Sequence, residues 1–98
     1  MKLYVDDVRT PPPGWDLART VQEAIDFLGA NFYEEVSLDY MIGETMEPNF
    51  SPVARFIVSL PKEKRPRVVY IHTASSHGAR ELYRIMEGFV DEINTGRA

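Results

Sequence analysis

The chain has no cysteine among its 98 residues, which excludes disulfides, thiol nucleophiles and thiolate-ligated metals. Cations are also scarce: 11 lysines and arginines stand against 15 acids, giving a net charge of -4 and no broad basic surface for non-specific duplex binding. No duplex DNA partner is expected, and any anion must be held locally. Apolar runs are short. None approaches the roughly 20 residues of a membrane-spanning helix, and MKLYVDD turns acidic before any stretch of signal-peptide length. These absences predict a soluble, cytoplasmic chain without a membrane partner. With 44% hydrophobic and 27% charged residues, one domain over 1–98 with one small core is the expectation.

What is present is a set of strand-like runs that end in reactive residues. LYVDD closes on Asp6 and Asp7, VSLD on Asp39, and VVYIHT on His72 and Thr73. In a parallel sheet the carboxyl ends of the strands share one edge, and open α/β folds bind ligands there. Residues distant in sequence then meet in one cleft.

The segments between these runs read as helices and turns. Pro11-Pro12-Pro13-Gly14 forces a loop after the first strand. Asp16 to Arg19 suits a short edge strand. Thr20 and Glu23 have capping-box spacing before Val21, Ala24, Ile25 and Leu28, and Gly29 marks a helix end. Gly43 to Asn49 reads as a loop, and Ser51-Pro52 opens a second helix through Val53, Phe56, Ile57 and Leu60. Lys62, Lys64, Arg65 and Arg67 form a basic turn, read as a solvated charge run at the far end from the cleft. Ala79, Leu82, Met86, Phe89 and Ile93 make the stripe of a last helix capped by Ser75 or Ser76. Trp15, Phe32, Tyr33 and Phe50 are expected to cover the sheet edge, with Trp15 and Phe50 placed where either could stack on a base.

The order β, β, α, β, α, β, α predicts a small three-layer α/β domain with about four mainly parallel strands, in sheet order 2-1-3-4. Asp6, Asp7 and Asp39 supply hard oxygen ligands suited to Mg²⁺ or Mn²⁺. Alternatively Asp6 or Asp7 caps the following turn or pairs with Arg9. His72 suits proton transfer to a phosphate ester oxygen, or sits as a neutral imidazole in the core. His77 reads as a solvated residue of the last helix. Thr73, Ser75, Ser76 and Gly78 open that helix, whose free amides attract anions; Arg80 offers a bidentate contact to phosphate, or points to solvent.

Three blocks, VDDVRTPPPGW, VSLDYMIG and IHTASSHGAR, resemble the signatures of the cyclic-phosphate-processing receiver-like family: Asp-Asp-x-Arg-x-Pro-Pro, Ser-Leu-Asp-His-Asp-Leu-Gly and His-Ser-x-Asn-x-x-Gly. The resemblance implies a flavodoxin-like receiver without its first helix and fifth strand. It also implies phosphoesterase activity on a cyclic phosphate, at an RNA end or in a cyclic nucleotide, and hence a role in RNA processing. Asp6, Asp7, Arg9, Ser37, Leu38, Asp39, Gly43, His72 and Gly78 match the pattern, and Thr73 stands in for its Ser. Tyr40 and Met41 stand where the family has His and Asp, and Ser75 replaces the Asn. On that reading Asp6, Asp7, Asp39 and His72 are the catalytic set, the three aspartates hold the metal, and Arg9, Thr73, Ser75 and Arg80 bind phosphate. The alternative is an inactive pseudo-receiver that binds a nucleotide, a protein partner or a second copy of itself. An ordinary phosphoacceptor receiver would need a Lys after a later strand, and this sequence reads as ending in a helix instead.

Overall fold

The computed structural model describes residues 1–95. Seven strands and three helices follow one another as β1 (Lys2–Val5), β2 (Asp16–Ala18), α1 (Val21–Ala30), β3 (Glu35–Leu38), β4 (Met41–Ile42), β5 (Thr45–Asn49), α2 (Ser51–Ser59), β6 (Val68–Ile71), α3 (Ser76–Met86) and β7 (Glu92–Asn94). Five of the strands form one parallel sheet in the order β2-β1-β3-β6-β7. The expected 2-1-3-4 order is therefore present, extended by one strand. The fold is that of a receiver-like α/β domain.

Strand order dictates which face each connection covers. From β2 through β3 and β6 to β7 the chain always steps the same way across the sheet, so right-handed crossovers put α1, α2 and α3 on one face. Their buried residues, including Ala24, Leu28, Val53, Ile57, Leu82 and Met86, pack in one core with Leu3, Val5, Val36, Leu38, Val69 and Ile71. Burial of each of these side chains larger than alanine contributes about 1.5–3 kcal/mol. The step from β1 to β2 runs the opposite way, so its connection crosses the other face. There the Pro-rich segment stands in place of a first helix, and Trp15 lies edge-on to Tyr4 and Tyr70 at 6.2 Å each.

The local signals explain most element boundaries. The Thr20 hydroxyl accepts the Glu23 amide at 3.1 Å, and the Glu23 carboxylate reaches back to the Arg19 amide at 2.7 Å. Ser75 caps α3 by accepting the Gly78 amide at 2.9 Å. Ser51 does not cap α2; it is the first helical residue, and its amide donates to the Asn49 side chain at 2.8 Å.

Four expectations are corrected. The last helix stops at Met86, because Gly88 takes φ +84 and the chain turns back into β7, paired with β6. Phe89 and Ile93 continue the helical spacing only by coincidence, and the fifth strand is present, holding Glu92, Ile93 and Asn94 and no lysine. Gly43 to Asn49 is not a plain loop; it forms most of the antiparallel β4–β5 hairpin. Phe50 has no exposed surface and belongs to the core, so it offers nothing to a base.

Candidate functional site

All five strands run the same way, but the connections leaving β1 and β3 go to opposite sides of the sheet, and a ligand crevice opens at the carboxyl ends of two such strands. Asp6 follows β1, Asp39 follows β3 and His72 follows β6. Regular parallel pairing brings these ends level: Val5 lies opposite Leu38, and Leu38 opposite Ile71. One ligand atom from each of Asp6, Asp39 and His72 falls within 4.8 Å of the others.

Asp6 is fully buried and heavily hydrogen-bonded. Its Oδ1 accepts the amides of Val8 and Arg9, both at 2.9 Å, which tightens the turn out of β1. Its Oδ2 meets His72 Nε2 at 2.9 Å, with Arg9 Nε at 3.9 Å. On the other side of the ring, His72 Nδ1 lies 2.6 Å from Ser37 Oγ. Tyr4 stacks on the imidazole, centroids 4.4 Å apart and planes 10° from parallel. Ser37 and His72 are both buried.

These contacts set the protonation pattern. Burial raises the Asp6 pKa, but the amides of Arg9 and Val8 and the His72 ring outweigh it, so the carboxyl ends below its ordinary value. Burial lowers the His72 pKa and prevails over the attraction of Asp6 and Asp39. A neutral imidazole beside a carboxylate must point its N–H at the acid. Nε2–H therefore donates to Asp6, Nδ1 accepts, and the Ser37 hydroxyl donates to it.

Asp39 is different. It is half-buried, and its Oδ1 accepts its neighbour's amide, that of Tyr40, at 2.7 Å. Burial raises its pKa most, and with the Asp6 charge it prevails over the Tyr40 amide, His72 and Thr73, which pull the other way. Two close carboxylates, one ionised and one resisting ionisation, form a site that a cation would relieve.

The donor set fits an oxygen-seeking divalent cation. Asp6 Oδ2 and the second oxygen of Asp39 retain lone pairs, whereas both ring nitrogens of His72 are engaged. Such ions use one or two carboxylates plus waters and phosphate oxygens, and a histidine that orients a ligating carboxylate is common behind them.

The other expected residues are spread around this centre. Asp7 Oδ2 accepts the Gly43 amide at 2.6 Å, which ties the chain leaving β1 to the β4–β5 turn and directs this carboxylate away from the cluster. Arg9 is exposed beside Asp6, and Thr73 Oγ1 accepts the Ser75 amide at 3.2 Å. Ser75 Oγ accepts the Gly78 amide in the α3 cap. Arg80 lies on the exposed flank of α3 with Tyr83 and Arg84. Tyr40 is buried against Gly78, and its hydroxyl accepts from Asn49 Nδ2 at 3.1 Å. A Cβ on Gly78 would sit 2.5 Å from the Tyr40 ring, so this glycine permits the close approach of α3.

Sequence reasoning assigned no role to Ser37, Tyr4 or Arg19. The first two were accessible from strand alternation, since Tyr4 with Asp6, and Ser37 with Asp39, must share the face of His72. Arg19 carries no such signal, yet its Nη1 donates to the carbonyls of Arg9 at 2.8 Å and Asp6 at 3.3 Å and so fixes the turn beneath the site.

The family model of the cyclic-phosphate processing receiver domain matches residues 1–88. No curated protein and no solved structure matches the chain.

Proposed function

For a chain that belongs to the cyclic-phosphate processing receiver domain family, we propose phosphoesterase-like processing of a cyclic phosphate, an RNA end or a cyclic nucleotide, at the edge where β1, β3 and β6 end. The observation that carries this reading is the convergence of Asp6, Asp39 and His72 within 4.8 Å at the point where the strand order reverses.

Asp6 and Asp39 would hold a Mg²⁺ or Mn²⁺ ion, which offsets phosphate charge when bound. Asp7 stands at the rim on the Gly43 turn, beside the entrance and not among the ligands. Hydrolysis joins a water oxygen to phosphorus, breaks one ring P–O bond and delivers the water's proton to the departing ribose oxygen. Asp39, the cluster residue with exposed surface, is the group placed to orient that water. His72 shuttles a proton only if it gives up a bond to Asp6 or Ser37; in its resting arrangement it keeps Asp6 ionised and aimed. Arg9 and Thr73 border the same edge and suit the non-bridging phosphate oxygens, with Ser75 and Arg80 further out along α3.

One observation favours a second reading, binding without turnover. The positions where the family has His and Asp hold Tyr40, which packs under α3, and Met41, which sits in β4 against the core. Neither can move a proton to substrate.

A panel of 2′,3′-cyclic-phosphate oligonucleotides and cyclic nucleotides, incubated with and without Mg²⁺ or Mn²⁺ and followed by mass, separates the two. Gain of one water that disappears in Asp39→Asn supports hydrolysis. Saturable binding with no mass change supports the second reading, and turnover unaffected by Asp39→Asn contradicts the site.

A further inference from the structure

At the other end of the sheet, three loops that enter β3, β6 and β7 come together. Because these strands are parallel, residues just before them lie on the edge opposite Asp6, Asp39 and His72, separated by the four residues of each central strand, roughly 13 Å. The loops bring together Phe32, Phe89 and the basic turn Lys62, Lys64, Arg65 and Arg67 around two adjoining grooves that meet at Phe32.

Two features distinguish this surface from a solvated charge run. Phe32 and Phe89 are each 44% exposed, among the few large apolar side chains so open in the protein. And four of the chain's 11 cations fall within six residues here, against Glu63 and Asp91, in a protein whose net charge is -4. Among the described residues, no ion pair engages Lys62, Lys64 or Arg67. Arg65 is held as a support: its Nε donates to the Leu60 carbonyl at 2.9 Å and its guanidinium lies 5.2 Å over the Phe89 ring. The negative ends of the helix dipoles face this edge, but their influence fades within a turn, and Lys62, Lys64 and Arg67 lie beyond the end of α2 at Ser59.

We propose that this end of the protein is a binding surface for single-stranded nucleic acid, separate from the Asp6–Asp39 site. Sequence-tolerant single-strand binders combine cations that follow the backbone with aromatic faces on which bases stack. Phe32 and Phe89 supply the faces, and Lys62, Lys64 and Arg67 the backbone contacts. An acidic peptide would use the cations but gain little from two open rings.

The test is fluorescence anisotropy of a labelled 12-nucleotide, mixed-sequence RNA with a plain 3′-hydroxyl, without divalent cation, against the whole chain. With no cyclic phosphate and no cation, the result does not depend on the Asp6–Asp39 reading, and either can fail alone. Phe32→Ala is expected to weaken binding about tenfold. Lys62→Glu/Lys64→Glu is expected to weaken it at least as much, and Arg55→Glu, on the exposed flank of α2, to leave it within about twofold. For three phosphate contacts, log K should fall against log salt with a slope of about −2. All three variants change exposed side chains, so circular dichroism should report an intact fold. Absence of binding, binding insensitive to Phe32→Ala and the lysine reversal alike, or tighter binding of polyglutamate or duplex than of the single strand would overturn the proposal.

Discussion

Removal of the Ser37 hydroxyl isolates the consequence of the buried Asp6–His72–Ser37 chain. With Nε2–H committed to Asp6 at 2.9 Å, Nδ1 of His72 is an acceptor, and Ser37 Oγ at 2.6 Å is its donor. The opposite tautomer would set a bare nitrogen lone pair against an ionised carboxylate. Ser37→Ala therefore leaves a buried acceptor with no partner, because Ser37 is fully buried and the His72 side chain is only 2% exposed. The cost of an unsatisfied buried acceptor is about 1–3 kcal/mol. For a domain of this size each kcal/mol shifts the midpoint by about 4–8 °C, so the expected fall in Tm is roughly 5–20 °C. Ser59 provides the control. Its hydroxyl also makes a short bond, 2.6 Å to the Phe56 carbonyl, but on an exposed helix end where water can replace it. Ser59→Ala should stay within about 0.5 kcal/mol of the parent. Urea and thermal unfolding followed by circular dichroism measure both. If Ser37→Ala costs no more than Ser59→Ala, the hydrogen-bonded chain and the tautomer derived from it are wrong.

Asp39→Asn should raise Tm at pH 7 without divalent cations, because burial and the Asp6 charge both raise the Asp39 pKa and so make its ionised form a cost to the fold; a lower Tm would contradict this. Mg²⁺ should stabilise the parent in the same thermal scan and have much less effect on the variant. His72 and Asp6 both have lowered folded pKa values, so each favours its deprotonated form in the fold. The His72 contribution is complete above the ordinary histidine value and is lost as pH falls below it, while the Asp6 contribution goes only as pH drops below the ordinary carboxylate value. Asp39 acts the other way, since its ionised form is the costly one, so the His72 share is read by difference: between pH 7 and pH 5 the parent should lose more stability to urea, or gain less, than His72→Gln, and equal slopes would remove His72 as a source. Gly78→Ala places a methyl 2.5 Å from the Tyr40 ring. The gain of about 1 kcal/mol in helix propensity should be outweighed by overpacking of about 1–3 kcal/mol or more, giving a lower Tm.

Much of this arrangement was legible from residue order. Alternation at Leu3, Val5, Val36 and Leu38 and the apolar run Val68 to Ile71 mark the sheet, and the polar residue after each run marks its edge. The Thr20–Glu23 and Ser75 caps locate two helices directly. The tail was misread because Phe89 and Ile93 fall at helical spacing beyond Gly88, and only the glycine's positive φ reveals the stop. The hairpin after Asp39 was hidden by its composition, since Glu47, Pro48 and Asn49 carry little strand signal. Within the site, the sequence placed Asp6, Asp39 and His72 together but could not tell that Asp7 turns toward Gly43, nor that Tyr40 and Phe50 are packed inward. Those distinctions depend on which way a side chain leaves a loop, and no periodicity constrains that.

If a divalent cation and a phosphate meet at the ends of β1, β3 and β6, Mn²⁺ will mark those ends by paramagnetic broadening in the amide spectrum, recorded with and without a 2′,3′-cyclic nucleotide. Broadening should centre on Asp6, Asp39 and Thr73, be lost in Asp39→Asn, and be much weaker at the loops of Phe32 and Phe89. Broadening centred elsewhere, or undiminished in Asp39→Asn, would contradict it.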